Sequence, residues 1–366
     1  LKALSSVSAF IKTEYYPTYK PPRCINSRTD EAKVRFGPVV KTIEKIIYDT
    51  PFCLPHTPFI KHTPITERAR TVRAIEKHGC GFMGTDYSRF ESQFRTYLQE
   101  VVENRLFEHM LANLPDLRDQ IIFANSGMNS MTYRCGVRMT IAGTRMSGDM
   151  WTSLGNGFTN FVLAWFLFDR LGADWDGYVE GDDGIFSASV YPTAEMFASL
   201  GMTIKIQRSD ELADLSFCGL IVAGDTLMRD PDHFLMGFGW THSFLDAGIR
   251  VMMELLRAKS MSALYETPDC PIVSHVAYAA YLFTAGYKPR FVADGYHTIP
   301  PVSFVPRLPR PSEHARSEFA RLFGISAADQ VRAEAAALCG DLGVVSHVVV
   351  AHPDAVDYAS RYVACG

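Results

Sequence analysis

No stretch of this 366-residue chain reaches the ~18 consecutive apolar residues of a membrane-spanning helix; the longest candidate, Phe161 to Phe168, is closed by Asp169 and Arg170. No Cys-x-x-Cys pair occurs among the 8 cysteines, and their spacing is irregular. That excludes a zinc ribbon and a disulfide framework, and points to reduced thiols in a cytosolic setting. There is no internal repeat and no low-complexity tract, so solenoid and disordered classes fall away. An excess of basic charge is also missing, since the formal net charge is −4. The deficit is unevenly spread: residues 1–80 carry 14 Lys and Arg against 7 Asp and Glu, and the remainder carries 22 against 33. A basic segment beside an acidic body is compatible with a partner rich in phosphate.

What is present is a globular composition, 47% hydrophobic, long enough for two or three lobes. Seven prolines between Pro17 and Pro58 predict irregular extended segments in the opening region rather than long helices. Gly81 to Thr85 reads as a buried strand ending at Asp86. Phe90, Phe94, Tyr97, Leu98, Val101, Val102, Leu106 and Met110 then recur at helical spacing and predict one long amphipathic helix. Strands are expected at Met131 to Cys135 and Val137 to Ile141, and a helix from Thr152 to Leu171. Beyond about residue 225 the pattern turns helical. Segments 243–263, 271–283, 312–324 and 326–340 read as helices, the last two with Ser at the start and Gly at the end.

Three short runs carry the chemistry: Gly84-Thr-Asp-Tyr-Ser-Arg-Phe-Glu91, Ser147-Gly-Asp-Met-Trp-Thr-Ser-Leu-Gly-Asn156 and Gly181-Asp-Asp183. A lone Gly-Asp-Asp arises by chance in roughly one chain in ten of this length, given Gly at ~7% of residues, so alone it marks only a hairpin turn. Flanked by two short strands, 178–180 and 184–187, the turn puts two carboxylates at an exposed tip. Asp86, Asp182 and Asp183 would together supply oxygen ligands for a pair of magnesium ions, the arrangement that phosphoryl transfer uses.

In this order the runs resemble motifs A, B and C of the RNA-dependent RNA polymerases of positive-strand RNA viruses, with a tombusvirus-like cast. Ser147, Gly148, Thr152 and Asn156 match the fixed positions of the pattern S-G-x-x-x-T-x-x-x-N. Lys20 to Arg28 resembles the basic motif F, Leu200 to Lys205 motif D, and Phe217-Cys218-Gly219 motif E. The resemblance covers residues 20–220 firmly and the rest weakly. It implies an α+β right-hand polymerase: fingers over 1–80, palm over 81–113 and 147–224, a fingers insertion over 114–146 and a thumb over 225–366.

The resemblance also implies roles. Asp86 and Asp182 would be the principal ligands of Mg²⁺, with Mn²⁺ as a substitute, and Asp183 would support them. Lys205 would protonate the leaving pyrophosphate. Lys20, Arg23 and Arg28 would contact the triphosphate, where guanidinium forks suit phosphate oxygens. Glu91 stands where the family usually has Asp and where reverse transcriptases place an aromatic side chain, so with Ser147, Gly148, Thr152 and Asn156 it would favour the ribose 2′-hydroxyl. Cys218 and Gly219 would lie against RNA. Implied partners are template and product RNA, ribonucleoside triphosphates, other replicase components and host membranes, in the host cytoplasm. The chain opens at Leu1 with only 19 residues before Lys20, so an N-terminally truncated fingers region is expected. A metal-dependent nuclease would account for the carboxylates and leave 20–28 and 147–156 unexplained. A non-polymerising RNA-binding or capsid-associated protein would not explain the order of the motifs.

Overall fold

Runs rich in β-branched and aromatic residues, bounded by Gly, Asn and Pro, set out the strands. In chain order these are β1 Ser6–Ile11, β2 Cys24–Arg28, β3 Phe82–Tyr87, β4 Met128–Tyr133, β5 Arg138–Ala142, β6 Trp175–Glu180, β7 Asp183–Ala188, β8 Ile204–Ser209, β9 Ser216–Phe217, β10 Leu220–Ala223 and β11 Thr226–Met228. The computed structural model describes residues 2–12, 21–77, 80–133, 135–241, 244, 246–292 and 298–349. They fall into two compact units: Leu1–Lys12, Pro22–Thr63 and Ile75–Glu211 form the first, and Thr13–Pro21, Pro64–Ala74 and Leu212–Gly366 the second. Mixed helix and sheet places the chain in the α+β class. Among the described residues no helix is long and apolar enough to cross a membrane.

The first unit holds two four-stranded sheets. One has the order β6-β7-β3-β8 with antiparallel neighbours throughout, and the other the order β2-β1-β4-β5 with β1 and β4 parallel. Every residue of β3 is buried except Asp86, because helices cover the sheet. The helix Thr152–Leu171 supplies Phe161 and Phe168 to a cluster with Val179 and Phe186. From the same helix, Leu163 and Leu167 join Tyr87, Phe90, Phe94 and Phe197. Phe161, Phe168 and Phe186 are at most 1% exposed, which stabilises the fold by roughly 1.5–3 kcal/mol for each ring. Gly172 at φ 60 ends that helix, as its left-handed cap requires.

Two expectations are corrected here. The opening region contains a 19-residue helix, Asp30–Tyr48, with Pro38 inside it. Thr29 caps it by accepting the Ala32 N–H, Asp30 and Glu31 suit its positive end, and Ala32, Phe36, Val40, Ile43 and Ile47 bury one face. Pro38 lies on the opposite, exposed face; the carbonyl that loses its donor belongs to Val34, which is also at the surface. The second correction concerns residues 90–110, which form three short helices, Phe90–Gln93, Thr96–Val101 and Glu103–Met110. The Gln93 side chain donates to Ser88 O at 2.6 Å and Thr203 O at 3.0 Å and accepts the Thr203 N–H, so the first turn is tied to a neighbouring loop and Phe94 leaves it extended. Phe90, Phe94, Leu98, Val102 and Leu106 stay buried, whereas Tyr97 and Val101 face out.

In the second unit β9, β10 and β11 form an antiparallel sheet, and the helices Ile249–Glu266, Val273–Phe283, Glu313–Phe323 and Ala327–Leu338 supply most of the rest. Ser312 and Ser326 cap the last two, and Gly324 and Gly340 follow them at φ 69 and 80.

Candidate active site

Pairing register brings the acidic residues together. Thr85 stands opposite Gly184 at the end of the β3–β7 ladder, one residue before Asp86 on one strand and one after Asp183 on the other. β6 and β7 close at Glu180 and Asp183 around the two-residue loop Gly181-Asp182, with Gly181 at φ 61. A positive φ at the first loop position is what a tight hairpin asks of glycine. Gly184 is required for a different reason: a Cβ there would meet the Thr85 hydroxyl at 2.5 Å and the Phe186 ring at 2.7 Å. Asn160, from the helix Thr152–Leu171, donates to Gly181 O at 3.2 Å and Asp183 O at 3.0 Å. It holds the acidic turn by its backbone. Sequence reading passed over Asn160, although it lies one helical turn beyond Asn156.

The electrostatics follow from that crowding. Burial pushes the Asp182 carboxyl above the usual carboxylate range, the charges of Glu91 and Asp86 push it further, and its own backbone N–H and Arg23 oppose them. Arg23 is exposed. The Tyr87 hydroxyl is fully buried and unpartnered among the described residues, and the Asp182 charge adds to burial in raising its pKa. Lys205 is the register partner of Asp86 across β3 and β8, so both side chains leave the same face of the sheet. Among the described residues no three His, Cys, Asp or Glu side chains close into a ready metal cluster. The donors assembled are nonetheless all carboxylate oxygens, repelling one another and suited to a hard divalent cation.

Asn156 donates to Glu91 Oε1 at 3.4 Å, and its own Oδ1 is buried without a partner among the described residues. Ser147 goes elsewhere: its hydroxyl accepts the Asn26 N–H at 3.1 Å and donates to Cys24 O at 3.3 Å, both on β2. Gly148 N–H donates to Asn26 O at 2.9 Å, and a Cβ on Gly148 would meet that oxygen at 2.8 Å and Ser27 Cα at 2.9 Å. The run at 147–156 is thereby locked to the strand that carries Arg28. Thr152 opens its helix, and its hydroxyl donates to Met146 O at 3.0 Å.

Arg28 requires a correction. It is 4% exposed, and all five of its N–H groups are spent: on Asp149 Oδ1 at 2.5 Å and Oδ2 at 3.2 Å, Leu4 O at 2.6 Å, Asn129 Oδ1 at 2.9 Å and Ala124 O at 2.5 Å. A guanidinium with no donor left does not reach for a triphosphate. Lys20 lies outside the described residues. Cys218 and Gly219 form the tip of the β9–β10 hairpin in the second unit, both at positive φ.

Comparison with known proteins agrees with this geometry. The family model for viral RNA dependent RNA polymerase matches residues 5–220. An RNA-directed RNA polymerase of Striped jack nervous necrosis virus is 27% identical over 211 residues, 55% of this chain and 21% of that protein. Its counterpart from Greasy grouper nervous necrosis virus is 28% identical over the same shares. The chain thus spans about a fifth of the length of these relatives. With the three acidic and polar runs meeting in order within the matched segment, the chain belongs to the viral RNA-dependent RNA polymerase family.

Proposed function

We propose that this chain carries out template-directed RNA synthesis, adding ribonucleoside monophosphates to a growing 3′ end and releasing pyrophosphate. The observation that carries the reading is the crowding of Asp86, Glu91 and Asp182 at one strand end, strong enough for the first two to raise the pKa of the third. Carboxylates gathered without a counter-ion are the signature of a cation site. Asp86 and Asp182 would hold Mg²⁺ or Mn²⁺, with Asp183 beside them. When bound, such ions supply a Lewis acid at the attacking hydroxyl and neutralise triphosphate charge.

The remaining steps belong to the chain's own residues. Arg23, exposed and close enough for its charge to act on Asp182, would contact the triphosphate. Lys205, across from Asp86, would give its proton to the departing pyrophosphate. Glu91 and Asn156 would accept and orient the ribose 2′-hydroxyl. In this reading the first unit combines palm and fingers, residues 225–366 act as thumb, and Cys218 and Gly219 lie against the product strand. Template and product RNA are the macromolecular partners, and other replicase components and host membranes in the cytoplasm complete a tombusvirus-like replication complex.

The test is primer extension on a homopolymer template with Mg²⁺ or Mn²⁺. Asp86→Ala and Asp182→Ala should each lower extension by on the order of 10³-fold, several kcal/mol of barrier, with unfolding transitions close to wild type. Near wild-type extension by either variant ends the assignment.

A further inference from the structure

Beneath the Glu91–Asn156 pair lies a second, fully buried pair that the proposed chemistry does not use. Arg145 and Glu103 form an ion pair with side chains 0% and 1% exposed. The guanidinium rests on the Phe94 ring, 4.7 Å from its centroid. Glu103 Oε1 also accepts the Thr159 hydroxyl at 3.2 Å. A Cβ on Gly155 would strike Arg145 Nη2 at 2.5 Å and Glu103 Oε1 at 2.8 Å, so the helix that carries Asn156 meets the pair at the glycine just before it. From the other side, Arg145 N–H donates to Glu91 O at 3.3 Å. The pair touches the backbone of one member of the sugar-facing couple and the helix turn of the other.

Charge adds a second link. Burial lowers the Arg145 pKa to about 10, and the charges of Asp149 and Glu91 act against that loss. A guanidinium at that value remains ionised at neutral pH and supplies a buried positive charge near Glu91, where Asp182 and Asp86 supply negative ones.

We infer that Arg145 and Glu103 are positioning residues for ribose selection: they set the separation of Glu91 and Asn156 and keep Glu91 an anionic hydrogen-bond acceptor. The inference rests on the sugar-facing role proposed above for Glu91 and Asn156. Neither residue of the buried pair touches substrate. Their effect should therefore fall on the ratio between ribo- and deoxyribonucleotides rather than on triphosphate binding as a whole.

Removing one partner would strand a buried charge and endanger folding, so the informative variant removes both. Arg145→Met with Glu103→Met keeps the volume filled and leaves no orphan charge, a replacement that folded proteins often accept. The full chain is tested with a ribonucleoside triphosphate and its 2′-deoxy analogue, by equilibrium binding with Mn²⁺ and by primer extension. The double variant should lose about tenfold of the ribo preference in both readouts, the worth of one well-placed hydrogen bond, with an unfolding midpoint near wild type. Arg145→Lys, which keeps the charge, should restore most of it. An unchanged ratio in the double variant overturns the inference. So does a wild-type chain that extends primers yet shows no ribose preference, a result that leaves the polymerase reading standing. A wild-type chain that fails to extend but binds ribonucleotides preferentially does the reverse.

Discussion

Asp86 and Lys205 stand directly opposite each other on neighbouring antiparallel strands, with Cα register pairing from Phe82–Ser209 through Tyr87–Ile204 and no bulge between. Directly opposed positions hold their Cβ atoms ~4.5–5.5 Å apart, so an ammonium is built in beside the carboxylate at the exposed end of β3. If that ammonium protonates pyrophosphate, Lys205→Met should lower kcat roughly 10²-fold, at the low end of general acid contributions, and leave KM for the triphosphate nearly unchanged. Single-turnover kinetics separate the two. A change in KM alone would make Lys205 a binding residue.

Sugar choice provides a second check. Asn156→Ala and Glu91→Ala each remove one side of a 3.4 Å hydrogen bond and should narrow the ribo-to-deoxy ratio by about tenfold while the affinity for triphosphate holds. Competition assays with 2′-deoxy nucleotides measure it. A ratio identical to wild type in both variants takes these residues out of the sugar site.

Two arginines five residues apart should behave as opposites. Arg28 is buried in a complete set of acceptors, and its partner Asp149 is 2% exposed in its side chain. Arg28→Ala should cost about 3–5 kcal/mol of stability, the usual penalty for breaking a buried pair. Arg23→Ala, at an exposed position, should leave the unfolding midpoint within a degree or two, a surface change of about 0.5 kcal/mol or less, and raise KM for the triphosphate. Chemical denaturation of both variants beside initial-rate kinetics decides the matter.

His56 should tune stability with pH. Its Nδ1 faces Thr57 O at 2.7 Å, its Nε2 faces Asp176 Oδ1 at 2.6 Å, and its ring stacks on Tyr178 with centroids 4.5 Å apart. Burial lowers its pKa, but the hydrogen bonds to Asp176 and Thr57 and the Asp176 charge outweigh burial and leave it raised. A pKa raised on folding means stability that is fully present below the unfolded value of ~6.5 and is lost as pH rises through the folded one. Wild type should therefore lose stability relative to His56→Gln between about pH 6 and 8, read by thermal unfolding across that interval. Parallel curves for the two proteins would show that the ring does not titrate in this window.

Local chemistry was legible in the chain. Ser312 and Ser326 announce their helices because a hydroxyl cap needs only the next turn, and the Glu180–Asp183 hairpin is spelled out by its own four residues. What depends on distant partners was hidden. Pro38 argues against a helix until the buried face of Asp30–Tyr48 outweighs it. The periodicity of 90–110 carries no sign that Gln93 will reach across to Thr203. Arg28 looks like a phosphate ligand when read beside Arg23, and only Asp149 and Asn129, more than a hundred positions later, reveal it as interior. The Arg145–Glu103 pair has no local signature at all.

That separation has a consequence for how the molecule comes to exist. β3 must wait for β7 and β8, β1 pairs with β4, and Ser27 bridges Gly148, so the acidic centre closes only after loops of about a hundred residues have been shut, each a non-local step that slows folding. During synthesis, Asp86 emerges with its strand unpaired on both edges until the hairpin at 175–188 follows. The buried aromatic helix Thr152–Leu171, which both clusters of the first unit share, is then the natural nucleus on which that late-closing sheet condenses.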